Sequence, residues 1–235
     1  MTVHRERRGD VALLTIDRPE RRNAVDHDTL VAIQAGIGAA VDEGAKVIVL
    51  TGAGGHFCAG ADLTGVEDAG FATALRGVLD LLTSVPVATI AAVDGAALGG
   101  GTQLASFCDL RVATPNARFG IPAAKLGLMV DANTVQRVVT LAGGGAARAM
   151  LLAASTIDGE EAHRLGFVQR LGDLDAALAW ADEIARLAPL TIAGHKVILE
   201  GGDGAEAFAA AWSSQDLHEG RAAFLERRTP KFEGR

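Results

Sequence analysis

Apolar positions recur along this chain with two periods, and the switches between them mark out its elements. Residues 11–17 open on Val-Ala-Leu-Leu and run into the polar Arg18-Pro19-Glu20-Arg21-Arg22-Asn23-Ala24, which predicts a strand and then a loop. Leu30, Ile33, Ile37 and Val41 follow at helical spacing, with Asp26 or Asp28 as the N-cap and Gly44 as the stop. Residues 46–51 (Lys-Val-Ile-Val-Leu-Thr) read as a strand buried on both faces, residues 71–82 as a helix, and residues 87–93, after Pro86, as a second buried strand. Residues 110–113 and 118–120 are short strand candidates. From Ala132 the pattern is helical: 132–142, 146–154, 160–165, 175–187, 191–199 and 205–224, punctuated by Gly143-Gly144-Gly145 and Gly201-Gly202. Alternating strands and helices predict an α/β fold with right-handed crossovers and a mostly parallel sheet.

Two of the strands end in glycine. The run to Val93-Asp94-Gly95 passes through Gly99-Gly100-Gly101 into an apolar helix carrying Leu104, Ala105, Phe107 and Cys108. A helix start offers unpaired N–H groups, and glycine lets a ligand approach them. The stretch is either a tight strand-to-helix turn or a cradle for a negative oxygen. The strand at 46–51 likewise opens into Gly52-Ala53-Gly54-Gly55 and then Phe57-Cys58-Ala59-Gly60-Ala61-Asp62-Leu63. Ligands in parallel sheets bind at the carboxyl ends of strands, so the two glycine loops are expected to face one another.

Composition narrows the classes. With 235 residues, 49% of them hydrophobic, the chain suits one domain of generous size or one domain with a helical appendage. A net charge of −7 argues against non-specific nucleic-acid binding. Arg18, Arg21 and Arg22 form a basic cluster that is either a solvated loop or an anion clamp. Cys58 and Cys108 lie in unrelated segments without a CxxC, which predicts a reducing cytoplasm. The charged first ten residues contain no signal-peptide core, and no apolar run is long enough to cross a membrane. The glycines fit neither a dinucleotide fingerprint nor a P-loop, no GxSxG or HExxH occurs, and the six histidines show no ligand spacing. Neither a metal nor a nicotinamide cofactor is expected. His56 is the only histidine near a plausible site.

Taken together, Asp17-Arg18-Pro19 with Asn23-Ala24, Ile48 to Gly52, Phe57 to Leu63, Pro86 to Asp109, Gly120-Ile121-Pro122, Leu126-Gly127-Leu128, Gln136-Arg137, Leu165 to Val168 and Phe224 to Arg228 resemble the enoyl-CoA hydratase/isomerase (crotonase) superfamily. The resemblance runs in order over nearly the whole chain. It implies a crotonase (ClpP-like) spiral of ββα units over residues 1–190, and trimerisation helices over residues 191–235. It implies a homotrimer or a hexamer, and protein partners in lipid metabolism. The ligand it implies is a coenzyme A thioester, either acyl-CoA or enoyl-CoA, with no further cofactor. Residue by residue, the N–H groups of Ala61 and Gly100 would form an oxyanion hole for the thioester oxygen. Backbone around Ala59, Ala61, Asp62 and Leu63 would meet the adenine, and Arg22 and Ala24 would lie near the phosphates. Phe224 and Arg227 would reach the CoA of a neighbouring subunit. Residues 66–82 and 126–135 would line the acyl chain.

Departures from the family pattern decide the chemistry. The hydratases place one glutamate two residues beyond the last of the three glycines and another directly after the proline of the Phe-Gly-x-Pro stretch. Gln103 and Ala123 stand there instead. Without the acid–base pair, hydration of a conjugated double bond by the family mechanism is physically disfavoured. Gln103 remains able to hydrogen-bond a water or the acyl chain. Asp131 matches an aspartate that some diene isomerases and dehalogenases of the superfamily use. It reads either as an acid–base group with a pKa raised by burial or as the N-cap of the helix at Ala132. Three functions stay open: an acyl-CoA binding protein without the acid–base pair, an isomerase using Asp131, and a slow hydratase in which Gln103 positions water.

Overall fold

The computed structural model describes residues 2–64 and 69–235. The elements run β1 (Val3–Arg8), β2 (Val11–Ile16), α1 (His27–Asp42), β3 (Val47–Gly52), α2 (Ala69–Ser84), β4 (Ala88–Val93), β5 (Ala96–Leu98), α3 (Gly100–Phe107), β6 (Leu110–Ala113), β7 (Arg118–Gly120), α4 (Ala132–Leu152), β8 (Thr156–Asp158), α5 (Gly159–Arg164), β9 (Arg170–Leu171), α6 (Leu174–Ile184), α7 (Pro189–Leu199), α8 (Ala205–Trp212) and α9 (Gln215–Glu226). Short 3-10 turns at Pro19–Arg21 and Pro122–Leu126 join β2 to α1 and β7 to α4.

The main sheet has the order β1-β2-β3-β4-β6-β9 and is parallel except for the β1–β2 pair. Successive residues of a strand point to opposite faces. Ile48 and Leu50 therefore enter the core under α1 and α2, while Val47 and Val49 face Ala177, Ala181 and Ile184 of α6. Both faces are covered, which is why β3 and β4 read as continuous apolar runs. A second sheet, β5-β7-β8, stands at the carboxyl end of β4.

Asp26, not Asp28, caps α1, accepting from the Thr29 N–H. The break expected at the glycines 143–145 is present: Gly143 (φ +79°) leaves the helical region, so α4 is two helical runs joined at a kink there. The single helix expected over 205–224 is two, because the Ser214 hydroxyl caps a new start at Gln215. β1 was hidden by its charge: all of it but Val3 is exposed at the sheet edge. α7 begins at Pro189, so the expected boundary at 190/191 falls inside its first turn.

α7 is anchored to the sheet by the buried Lys196, whose ammonium donates to the Leu82 and Val87 carbonyls and to Asp109 at 2.7, 3.1 and 2.8 Å. The terminal segment is held rather than frayed. Arg228 pairs with Glu219, Asp216 accepts from the Glu233 and Gly234 N–H groups, and Phe232 lies against Gly220.

Candidate functional site

The two glycine loops meet. Cys58 bridges Ala97, and a Cβ placed on Gly100 would stand 3.6 Å from the Ala61 nitrogen. Ala61 forms a parallel bridge with Val25: Val25 N–H donates to the Gly60 carbonyl and Asp62 N–H to the Val25 carbonyl, both at 2.8 Å. Both bonds come from the neighbours of Ala61, so the N–H of Ala61 itself points to the opposite side. Across from it, Gln103 N–H makes the first turn's bond to the Gly99 carbonyl, leaving Gly100 N–H at the open start of α3. Among the described residues no main-chain carbonyl accepts from the N–H of Ala61 or Gly100. Two unpaired donors thus converge where the positive end of a helix lies.

Several side chains fix this geometry. Thr102 Oγ1 lies 2.6 and 2.8 Å from the Ala97 and Gly120 carbonyls and accepts from Gly120 N–H, pinning α3 to β5 and β7. Gly101 has no room for a side chain, because a Cβ would sit 2.0 Å from the Cys58 carbonyl oxygen. At the far end of α3 the buried Arg111 donates to the Ala105, Cys108, Asp109 and Phe167 carbonyls, so its charge sits at the negative end of the helix. Burial pushes its guanidinium down, to about 10, which leaves it charged at neutral pH. Behind the Ala61 loop, fully buried Asn23 accepts from Arg18 N–H (2.8 Å) and donates to the Ala53 and His56 carbonyls (2.7 and 2.6 Å). These supports carry no motif of their own; a buried Asn and Thr beside glycine loops are the faint signal they leave in the sequence.

A cavity of about 500 Å³ opens from the two donors. Its wall is mostly apolar, with Phe71, Leu75 and Leu79 of α2 opposite Ile121, Leu128 and Val130. Of the two stretches expected to line an acyl chain, both contribute, although residues 66–68 lie outside the described residues. Gln103 and Ala123 line this same cavity. Gln103 donates from Nε2 to Thr134 Oγ1 at 2.9 Å, and Thr134 Oγ1 donates to Asp131 at 2.7 Å. Asp131 caps α4, accepting from the Asn133 and Thr134 N–H groups. Burial pushes its carboxyl up, but the hydrogen bonds from Thr134, the Arg76 guanidinium and the Asn133 N–H together hold it below the usual carboxylate range. Of the two readings of Asp131, the structure shows the N-cap; the carboxyl is lowered, not raised, and is ionised at neutral pH.

The other candidates separate into two groups. Ala59 and Leu63 stand at the cavity with Ala61. Ala59 N–H is held by the Arg22 carbonyl, so Arg22 and Ala24 flank this loop, and the Arg21 and Arg22 side chains are exposed. Arg18 is no free anion clamp, since it is paired with Asp26 and Asp62 and donates to the Ala24 carbonyl. The Asp62 carboxylate is spent on Arg18 and Thr64. Phe224 and Arg227 are exposed on the C-terminal helices and do not line this cavity. His56 accepts from Ala96 N–H and braces the loop. Both cysteines are buried and pushed up to about 12, so neither supplies a thiolate. Among the described residues no cluster could hold a metal ion.

The sequence pattern of the enoyl-CoA hydratase/isomerase family matches residues 6–235. The chain belongs to this family. It is 44% identical over 235 residues to "Probable enoyl-CoA hydratase echA6" of Mycobacterium tuberculosis, covering 95% of this chain and 96% of that one. It is 36% identical to the 2,3-dehydroadipyl-CoA hydratase of Escherichia coli, over 100% and 99% of the two chains. The enoyl-CoA hydratase EchA1 of Mycobacterium marinum superposes with a TM-score of 0.87 at 32% identity, over 100% of this chain and 99% of that one. The crotonase fold expected from the sequence is thereby established, and enoyl-CoA hydratase-like function comes with it. No helix among the described residues is long and apolar enough to cross a membrane.

Proposed function

We propose that this member of the family binds acyl-CoA and enoyl-CoA thioesters with little or no hydratase turnover. One observation carries the reading: the paired donors of Ala61 and Gly100 open on a cavity in which the two glutamate positions of the hydratases hold Gln103 and Ala123, neither able to exchange a proton. The thioester oxygen would sit between the two N–H groups, polarised but not attacked. Gln103 cannot ionise, and its amide is tied to Thr134. Loss of a positioned acid or base typically removes about 10²–10⁴-fold of rate, so loss of both predicts very slow hydration.

The second reading is an isomerase using Asp131. It is favoured by the place of Asp131 on the cavity wall and disfavoured by its engagement in the cap. Crotonyl-CoA followed at the conjugated thioester absorbance, with binding of butyryl-CoA measured by calorimetry, separates the readings. Binding without absorbance loss supports ours; rapid, protein-dependent loss overturns it. Gain of the conjugated absorbance from 3-butenoyl-CoA, abolished by Asp131→Asn, would establish the isomerase reading.

The remaining assignments belong to the same proposal. Ala59, Asp62, Leu63, Arg22 and Ala24 are assigned to the adenine and phosphate end, through backbone and exposed arginines. Phe224 and Arg227 are assigned to the CoA of a neighbouring subunit. Their exposure, with that of Leu199 and Trp212, supports association through the C-terminal helices into a trimer or hexamer. A cytoplasmic role in lipid metabolism, handing the thioester to protein partners, completes the reading.

A further inference from the structure

The polar residues of the cavity form a line leading away from the two donors. Gln103 lies one helical turn beyond Gly100, Thr134 is 2.9 Å further, Asp131 2.7 Å beyond that, and Arg76 3.4 Å from Asp131. Arg76 belongs to α2 and Asp131 caps α4, so this pair spans the gap between the two helices. With its amide turned so that the oxygen faces Arg76, Asn133 would accept from both terminal nitrogens at 3.2 and 3.1 Å, and Asp80 stands 3.7 Å from the guanidinium. Arg76 and Asp131 both line the cavity, yet their side chains are 38% and 39% exposed. They therefore stand where the cavity meets solvent, reached from Gln103 through Thr134 by two hydrogen bonds and one ion pair. Beside them Leu128 is 44% and Met129 91% exposed, although both also line the cavity.

We infer that Arg76 and Asp131 form a gate at the distal end of the acyl cavity, closed over medium acyl chains and opened by long ones. The distal methylenes of a long chain would then pass between α2 and α4 and lie against Leu128 and Met129. This rests on the thioester-binding reading above. Three features carry it. The pair is long and half-exposed, and such ion pairs are worth only about 0–1 kcal/mol, so they part readily. Two carboxylates face the one guanidinium, which disfavours an anionic chain end at this wall. The exposed Met129 and Leu128 supply an apolar surface where an emerging chain needs one.

The test is the ratio of palmitoyl-CoA to hexanoyl-CoA affinity, measured by calorimetry below the micelle concentration. In Arg76→Met the ratio rises by up to about fivefold, the worth of an exposed pair that no longer has to open. In Met129→Asp the ratio falls roughly tenfold, because the emerging chain loses an apolar contact and meets a charge. Palmitoyl-CoA that binds only to Arg76→Met would overturn the proposal, since long chains would then fail to open the pair in the parent protein. An unchanged ratio in both variants overturns the gate. If neither thioester binds the parent protein, the thioester-binding reading itself fails.

Discussion

Asn23 is the side chain on which the Ala61 loop most depends, and replacing it gives a worked test. Its amide is fully buried and makes three hydrogen bonds of 2.6 to 2.8 Å, one from Arg18 N–H and two to the carbonyls of Ala53 and His56. Asn23→Ala removes all three and leaves those main-chain groups without the partner. An unsatisfied buried group costs about 1–3 kcal/mol, so partial relief by water or backbone adjustment leaves a loss of about 3–5 kcal/mol. Asn23 also holds φ +58°, next to Arg22 at φ +50°. Asparagine tolerates this region better than alanine, which adds about 1 kcal/mol to the alanine variant. Asn23→Gly relieves the strain but keeps the hydrogen-bond loss, so it should be about 1 kcal/mol more stable than Asn23→Ala. Urea unfolding followed by circular dichroism, at one protein concentration, measures both. The same variants should weaken acyl-CoA binding, because Asn23 ties the Arg18 turn to the strand end that leads to Ala61. A loss below about 1 kcal/mol in Asn23→Ala would refute the reasoning, since it would mean the amide bears no buried load.

Gly101→Ala should abolish acyl-CoA binding and strongly destabilise the protein, because its Cβ would sit 2.0 Å from the Cys58 carbonyl oxygen; calorimetry and thermal unfolding check both. Restoring both carboxylates in Gln103→Glu/Ala123→Glu should raise crotonyl-CoA hydration by about 10²-fold or more, and a flat rate would place the acyl chain elsewhere. Asp131 is held below the usual carboxylate range when folded, so its contribution to stability is present above the unfolded value of about 3.9 and is lost as the pH falls through the lower folded value. Acid unfolding of Asp131→Asn should lack that component. Lys196→Met should loosen α7 by leaving Asp109 without its ammonium partner, read as faster amide exchange in α7 and lower thermal stability.

Most of the sheet and the first helices were legible because burial on both faces writes continuous apolar runs into β3 and β4, and burial on one face writes the 3.6-residue period into α1. Leu110–Ala113 and Arg118–Gly120 were legible to the residue. β5, β8 and β9 were not: β5 lies within the glycine turn before α3, and β8 and β9 are two- or three-residue strands set between helices. The break at 143–145 was legible too, because Gly143 leaves the helical region and divides α4 there.

At the site, sequence determined the donor chemistry. Glycine at 60 and 101 allows the backbone approach that no side chain would permit, and Gln103 and Ala123 exclude ionisation whatever the fold. Only the tertiary structure decided what surrounds those residues. It spent Arg18 and Asp62 on each other, tied Gln103 through Thr134 to Asp131, and set Arg76 of α2 against Asp131 at the start of α4. It also fixed the ionisation of Asp131, because a pKa follows from the groups packed around a carboxyl and not from its place in the chain. Residue identity sets what a group can do; the neighbours that the fold supplies, distant in sequence, set which of those things it does.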